Sequence, residues 1–266
     1  MAVSMTALLD DLQAETDAVG ALVARLDDDS ISTPTPSLGW DIRDQLTHLA
    51  FFDELARQAA VDPTEFRRVA EAEAGTDHPD RVAAEHAHMG AAEVRSWFLQ
   101  ARQEFIDTFR TLDPSARLPW YGPDMSAATS VTARLLETWA HGQDIADALG
   151  VRREPTDRLR HVAHLGVRTA GFSFALHGRA APSAPVRVEL VGPSGDVWTW
   201  GDADAADRVS GDALDFCLVV TQRRNVADTD LEVVGPVATE WISIAQAFAG
   251  EPGPGRAPGA FPRSKR

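Results

Sequence analysis

Apolar residues recur every three or four positions through the first two-thirds of the chain. This period is typical of helices that bury one face in a core and leave the other in solvent. It predicts long helices over about 5–27, 41–60, 80–111, 126–149 and 156–177. Long helices joined by short connections are the pattern of an antiparallel bundle, which we predict for residues 1–178.

Apolar and polar residues alternate after residue 178, as in strands with one buried face. Two alternating segments, 186–191 and 197–200, flank turn-forming residues and predict a hairpin. The remaining predicted elements are a helix over 211–223, a strand over 231–234 and a helix over 236–249. Together they predict a small α/β domain over residues 179–250. The Pro- and Gly-rich residues 251–266 are predicted to form a disordered tail.

The charge of the chain narrows the classes of partner. Its formal net charge is -15 and its pI is about 4.9. Binding to nucleic acid or to an anionic membrane surface is therefore not expected, since both need a basic face. The sequence shows no secretory signal and no uncharged apolar run of about 18 residues. Cys217 is the only cysteine, which excludes an internal disulfide and suits a reducing compartment. We predict an acidic, soluble, cytoplasmic protein.

A distinctive group of polar residues lies in the predicted helix over 126–149. Glu137 and His141 are one turn apart, so a carboxylate and an imidazole project from one face, and both are ligands for divalent metals. Asp144 falls on the same side, three residues further on. His48, in the second predicted helix, is the candidate for a third ligand. The apolar neighbours of Glu137 leave little room for solvent, which makes an unpaired carboxylate costly there.

Other interpretations of these residues stay open at the level of the sequence. A Glu and a His four residues apart also occur on solvated helix faces, and His48 also suits a hydrogen-bonded histidine of the core. Asp44, one turn before His48, is a further candidate ligand, although we interpret it as a surface or supporting carboxylate. Ser126 and Gly150 are predicted to cap and to end the helix that carries Glu137.

Two segments resemble a known family. Residues 39–49, which read GWDIRDQLTHL, resemble the histidine-bearing segment of the DinB-like metal-binding bundle, and they are closest to its mycothiol-dependent maleylpyruvate isomerase branch, found in actinobacteria. Residues 137–146, which read ETWAHGQDIA, are similar to the second signature of that family. The resemblance implies a DinB-like four-helix bundle in which His48, Glu137 and His141 hold a divalent metal, usually zinc.

The C-terminal region carries the rest of the resemblance and one departure from it. Residues 209–216, which read VSGDALDF, resemble the small sterol-carrier-like α/β domain of these enzymes. The family motif typically continues into a Gly-Arg pair at the helix end, whereas here residues 221–225 read TQRRN. Arg223, with Arg224 as the alternative, is the candidate for an anion-binding arginine with a catalytic role. The changed context leaves open whether maleylpyruvate is the substrate, and a sister group of mycothiol-linked proteins is the alternative to the isomerases themselves.

The ligand set predicts a class of chemistry. Two imidazoles and a carboxylate leave a coordination position open, which is the pattern of a catalytic rather than a structural zinc site. Metal coordination lowers the pKa of a thiol. Cys217 lies in a core-like helix and is predicted to be inert, so the thiol would be external, and the resemblance implies mycothiol. We therefore predict an isomerase or S-transferase in which zinc activates mycothiol for attack on a small electrophile.

Asp144 is predicted to take part in catalysis, either by orienting His48 or His141 or by binding polar groups of the thiol. A plain solvated aspartate is the alternative. For the whole protein, the alternatives are a non-catalytic module that binds metal or ligand and a zinc hydrolase that uses metal-bound water. The chain lacks a His-Glu-x-x-His motif, which argues slightly against hydrolysis.

Overall fold

The chain folds into two compact units. The first comprises residues 1–153 and the second residues 154–266. The structure is a computed structural model, and it describes residues 4–73, 75, 77–253 and 255–261. No helix in these ranges is long and apolar enough to cross a membrane.

The first unit is a bundle of four long helices. Its described α-helices and strands, in chain order, are α1 (Met5–Val23), α2 (Ile42–Val61), α3 (Pro63–Glu73), α4 (His78–His86), α5 (Ala91–Arg110), β1 (Arg117–Leu118), β2 (Met125–Ser126) and α6 (Ala127–Leu149), and a short 3-10 helix (Ser30–Ser32) lies between α1 and α2. The short strands β1 and β2 pair in antiparallel fashion just before α6. Helices α1 and α2 each pack against both α5 and α6. The predicted helical bundle is therefore confirmed, with α6 as its fourth long helix.

Local capping explains where the bundle helices begin and end. At the start of α2, the Asp41 carboxylate accepts the backbone N–H of Asp44, and the Asp44 carboxylate accepts that of Asp41. At the start of α6, the Ser126 hydroxyl accepts the Thr129 N–H at 3.1 Å. Gly150 ends α6 with a left-handed φ of 64°. Both predicted ends of α6 are confirmed, and Asp44 is a capping residue.

The predicted single helix over 80–111 is wrong, because the chain breaks between α4 and α5. Gly90 is extended at the start of α5, and the Asp28 carboxylate accepts the Ala91 N–H at 2.7 Å. An added Cβ at residue 90 would lie 3.0 Å from that carboxylate, so a side chain there would crowd it. The cap comes from 63 residues earlier in the chain, and the local hydrophobic period carries no sign of it.

A buried network of charged and hydroxyl groups crosses the bundle. The carboxylate of Asp53 on α2 accepts Nε of Arg102 on α5 at 2.7 Å and Nε of Arg134 on α6 at 2.8 Å. Arg102 also donates to Oγ1 of Thr16 on α1 at 2.7 Å and to Oγ1 of Thr138 on α6 at 2.9 Å. Asp53 is fully buried, and Arg102 is 1% exposed. The network therefore joins all four long helices, and in it one buried carboxylate pairs with two guanidinium groups away from water.

A further ion pair lies at the C-terminal boundary of the first unit. Arg153 is the last residue of this unit. Its guanidinium contacts the carboxylate of Glu15 on α1 and donates to the carbonyl of Trp139 at 2.9 Å. Glu15 is buried. The segment that follows α6 therefore folds back against α1.

The second unit combines helices with a four-stranded sheet. Its described elements, in chain order, are α7 (Leu159–Arg168), α8 (Ala170–Leu176), β3 (Val186–Val191), β4 (Val197–Trp200), β5 (Asp207–Asp212), α9 (Ala213–Val220), β6 (Glu232–Val234) and α10 (Pro236–Ile244). The strand order is β4-β3-β5-β6, with β3 and β5 parallel and the outer pairs antiparallel. The prediction of a small domain that mixes helices with a sheet is confirmed.

The hydrophobic pattern does not reveal β5, and the helix predicted over 211–223 overlaps its end. The strand does alternate in burial, but one of its buried positions is Asp207. The Asp207 carboxylate accepts the backbone N–H groups of Val237 at 2.7 Å and Ala238 at 2.9 Å, at the start of α10. Asp207 is buried because it caps a distant helix, yet it is a polar residue in the sequence. The alternation of apolar residues that would predict β5 is therefore missing at this position.

The division between the units falls after Arg153, not after residue 178 as predicted. The helix predicted over 156–177 is broken at Thr169 into α7 and α8. Within the second unit, α7 packs against α9 and α8 packs against α10. Helical period alone cannot show which hydrophobic core a helix joins. Here α7 and α8 both pack in the second unit.

Part of the predicted disordered tail makes hydrogen bonds with the rest of the second unit. Its described residues, 251–253 and 255–261, contain no helix or strand. However, the Arg256 carbonyl accepts Nδ2 of Asn225 at 2.9 Å, and the Gly259 N–H donates to Asp228 at 2.9 Å. Residues 254 and 262–266 lie outside the described residues.

Candidate metal centre

Three side chains that the sequence predicts as ligands converge between α2 and α6, which pack together. Nε2 of His48 and Nε2 of His141 each lie 3.2 Å from Oε2 of Glu137. One potential ligand atom from each residue lies within 4.8 Å of the other two, and among the described residues no other group of His, Cys, Asp and Glu does this. Two imidazole nitrogens and one carboxylate oxygen in this arrangement suit a divalent cation.

Burial and hydrogen bonds set the protonation of His48 and Glu137. The exposed fractions of the His48, Glu137 and His141 side chains are 13%, 22% and 10%. Burial, with the nearby charge of His141, lowers the pKa of His48 to about 4, so this imidazole is neutral at neutral pH. Burial alone would raise the pKa of Glu137, but its hydrogen bonds with His141 and His48 hold that pKa well below its usual value. A neutral imidazole and an ionised carboxylate are the forms that bind metals.

A chain of hydrogen bonds fixes the orientation of His141. Its Nδ1 donates to Oε1 of Gln45 at 2.5 Å, and Nε2 of Gln45 donates to Oγ1 of Thr35 at 2.8 Å. The Thr35 hydroxyl in turn donates to the Trp40 carbonyl at 2.8 Å. We assign a proton to Nδ1 of His141 from this network, which leaves Nε2, the nitrogen nearest Glu137, as the atom available to a metal.

Gln45 and Thr35 were not predicted from the sequence to support the site. Gln45 is three residues before His48 on α2, and residues at this spacing share a helix face. That spacing is the signal that would have found Gln45. Thr35 precedes the helix in a loop, where no periodicity indicates what it faces.

Replacing Gln45 by Leu should weaken zinc binding by about 10-fold to 100-fold, the usual effect of removing a group that orients a metal ligand. Competition with a chromophoric chelator measures the affinity. Gln143→Leu is the matched control, because Gln143 is also buried and its amide donates to Asp147, at 2.9 Å, rather than to a ligand. Equal zinc affinities for Gln45→Leu and this control would show that the hydrogen bonds through Gln45 do not orient His141.

Aromatic rings surround the two imidazoles. The ring centroid of Phe52 lies 4.5 Å from that of His48. The indole of Trp40 lies 5.4 Å from the His48 ring and is stacked over the His141 ring at 6.0 Å, with 17° between the planes. Nε1 of Trp40 donates to Oδ1 of Asp80, on α4, at 2.7 Å. The two imidazoles are therefore packed against aromatic rings that limit the access of water.

Comparison with known proteins decides the family. A family model described as the mycothiol maleylpyruvate isomerase N-terminal domain matches residues 12–146, which include all three candidate ligands. The chain belongs to this family. A second model, described as wyosine base formation, matches residues 182–233 in the second unit.

Relatives and solved structures agree with this assignment. Two uncharacterised proteins of Mycobacterium tuberculosis, from strains CDC 1551 / Oshkosh and H37Rv, are each 47% identical over 248 residues, which cover 92% of this chain and 96% of the relative. Crystal structures of the mycothiol-dependent maleylpyruvate isomerase and of a mutant of it match with TM-scores of 0.59 and 0.58. Each is 13% identical to this chain and covers 84% of it, with 90% of the solved chain matched. The fold of this maleylpyruvate isomerase family is thus shared at low sequence identity.

Asp144, predicted to be catalytic, lies on α6 within the matched part of the family domain but outside the group of three ligands. It is fully buried, so the alternative of a solvated aspartate is wrong. Its Oδ2 accepts the hydroxyl of Ser37 at 3.1 Å. Asp144 therefore attaches the loop that leads to Trp40 to the helix that carries Glu137 and His141.

Arg223, the other residue predicted to be catalytic, lies in the second unit just after α9. It is buried, its Nη1 donates to the Thr221 carbonyl at 2.7 Å, and its guanidinium lies 5.8 Å from the centre of the Phe248 ring. These contacts secure the turn after α9. Its role as an anion-binding arginine in this family member stays a prediction.

Cys217 should not react with thiol reagents in the folded protein. It is fully buried on α9, and burial, with the nearby charge of Asp212, raises its pKa well above the usual value for a thiol. We expect no release of chromophore with a disulfide reagent under native conditions and one equivalent after denaturation in guanidinium. Rapid native labelling would contradict the burial, and Cys217→Ala is the blank for both measurements.

Proposed function

We propose that the protein is a zinc-dependent enzyme that uses mycothiol to attack a small electrophile. In an isomerase, addition of the thiol to the electrophile is followed by its elimination. In an S-transferase, the S-conjugate is the product. Membership of the mycothiol maleylpyruvate isomerase family supports both the thiol and this class of reaction.

The observation that carries this proposal is the convergence of His48, Glu137 and His141. The three donor atoms come from two helices and face one another within 4.8 Å. The network assigns the proton of His141 to the nitrogen that faces away from Glu137, and the low pKa of His48 keeps that ring neutral. The donor set therefore fits a divalent cation in both geometry and protonation.

A zinc ion held by these three residues would leave a coordination position at which an external thiol is stabilised as its thiolate. Glu137 contributes the negative charge of the ligand set, and the two imidazoles contribute none. The rings of Trp40 and Phe52 limit the access of water to the imidazoles, which strengthens the electrostatic interactions there. We assign Asp144 a supporting role, since its hydrogen bond with Ser37 holds the loop that carries Trp40.

The test combines metal content with a thermal shift. The zinc-loaded protein, the zinc-free protein and His48→Ala are each heated with and without mycothiol. We expect about one zinc per chain in the wild type, little in His48→Ala, and stabilisation by mycothiol only when zinc is present. His88→Ala, which alters an exposed histidine, is the control and should behave as the wild type.

Each other outcome contradicts part of the proposal. Absence of zinc from the wild type after reconstitution would overturn the metal centre. Zinc binding without any response to mycothiol would favour a zinc hydrolase or a non-catalytic metal-binding module. Turnover assays with electrophiles then separate the isomerase from the S-transferase, because only the S-transferase consumes mycothiol.

A further inference from the structure

We propose that Asp80 is a positioning residue of the metal centre, because it holds the indole of Trp40 against both histidine ligands. This inference rests on the proposed function, since it concerns the same site. Asp80 itself is an exposed residue in the first turn of α4 and belongs to none of the predicted ligand or catalytic sets.

Trp40 contacts both imidazoles. Its ring lies 5.4 Å from that of His48 and 6.0 Å from that of His141. Phe52, by contrast, makes a ring contact with His48, at 4.5 Å. An aromatic ring that contacts both ligands constrains their relative orientation, and hence the distance between the two nitrogens that would share the metal.

The backbone of Trp40 is also connected to His141, through a series of hydrogen bonds. Trp40 ends the Trp40 loop (residues 33–40), and its carbonyl accepts both the backbone N–H and the hydroxyl of Thr35, each at 2.8 Å. Thr35 connects through Gln45 to Nδ1 of His141. A displacement of Trp40 would therefore disturb His141 through both its ring and its hydrogen-bond partner.

Asp80 secures the outer edge of this arrangement. The Nε1–H group is the single polar group of the indole, and Asp80 accepts it at 2.7 Å. The next residue outward in the loop, Gly39, has a φ of 81°, and Leu38 beyond it is fully exposed. The tip of the loop thus lies in solvent. Two kinds of contact therefore fix the indole of Trp40: its packing against other rings, and its hydrogen bond to Asp80 on α4.

The bundle contains a matched control. Nε1 of Trp97 donates to Oε1 of Glu54 at 2.6 Å, and this bond is also exposed and also joins residues far apart in sequence. The Trp97 ring stacks on His86, at 4.7 Å, and not on a candidate ligand. Removal of either carboxylate therefore breaks a similar indole hydrogen bond, but only removal of Asp80 affects the metal centre.

The experiment uses the full chain and zinc, with cobalt as a spectroscopic probe. We expect Asp80→Ala to weaken zinc binding by about 10-fold relative to wild type, at the lower end of the effect of losing a residue that supports a ligand. The visible absorption of the cobalt-loaded protein should also shift, because that spectrum reports ligand geometry. Asp80→Asn keeps an acceptor oxygen and should restore both. Glu54→Ala should leave both unchanged.

The outcomes separate this inference from the proposed function. If the wild type binds no zinc, the metal centre fails. If the wild type binds zinc but Asp80→Ala matches Glu54→Ala in affinity and in cobalt spectrum, Asp80 has no positioning role and the metal centre stands. A loss of affinity in Asp80→Ala that Asp80→Asn does not restore would also overturn the role assigned to the hydrogen bond.

Discussion

Replacing Asp53 by Ala should destabilise the first unit by about 3–5 kcal/mol, which is the usual cost of removing one partner from a buried ion pair. The carboxylate of Asp53 binds two guanidinium groups, those of Arg102 and Arg134, in the interior of the bundle. Burial already lowers the pKa of Arg102, against the opposing effect of Asp53. Without that carboxylate, two buried cations would face each other uncompensated.

Chemical denaturation of the zinc-free protein, followed by far-ultraviolet circular dichroism, measures the loss in the transition of the first unit. Glu65→Ala is the control, because it breaks an exposed ion pair with Arg68 and should leave that transition unchanged. Combining Asp53→Leu with Arg102→Met and Arg134→Met should recover much of the stability, since apolar groups can replace a buried ionic network. A small loss in Asp53→Ala would show that water enters the network.

Replacing Glu137 by Gln should lower zinc affinity by more than about 100-fold, beyond the effect of losing a supporting group. The substitution keeps the shape of the side chain but removes the only negative charge of the ligand set. Oε2 of Glu137 is also the atom that contacts both imidazoles, at 3.2 Å each. An amide in its place is a far poorer ligand for zinc and places neutral atoms against both rings.

Chelator competition and metal analysis after dialysis measure this effect. Glu104→Gln, on α5, alters a side chain that is 43% exposed, changes the net charge of the chain by the same amount and should retain zinc. Zinc retention by Glu137→Gln at an affinity near that of the wild type would mean that the ion is held elsewhere. Thermal shift of the same samples checks that the variant is folded.

The sequence could predict the site where its chemistry follows the helical period. Glu137 and His141 lie one turn apart, so any helix over that segment brings them together, and the capping residues define that helix. His48 was a candidate ligand from the residues alone, but a hydrogen-bonded core histidine stayed open, because nothing in the local pattern of α2 shows that His48 faces α6. The family resemblance favoured the ligand. Gln45 and Asp80 act through contacts that exist only after the helices and the Trp40 loop have packed.

Most helices and strands of the fold could be predicted from the sequence, and the prediction failed where a carboxylate caps a helix that is distant along the chain. Asp28 caps α5 from a distant loop and divides what the hydrophobic period presents as one helix. Asp207 caps α10 from within β5 and conceals that strand. In both cases the cause is a carboxylate that satisfies backbone N–H groups far along the chain, and local sequence does not encode such pairings.

The contact of Arg153 with Glu15 determines how a truncated form of this protein that contains the first unit should be designed. A fragment cut at the last residue of α6 would contain every candidate ligand, yet it would lose the guanidinium that the structure places on the buried carboxylate of α1. It would also lose the hydrogen bond from Arg153 to the Trp139 carbonyl, on the helical turn between Glu137 and His141. A form of the bundle that keeps this ion pair therefore extends past its final helix, and residues 151–153 belong to the architecture of the first unit.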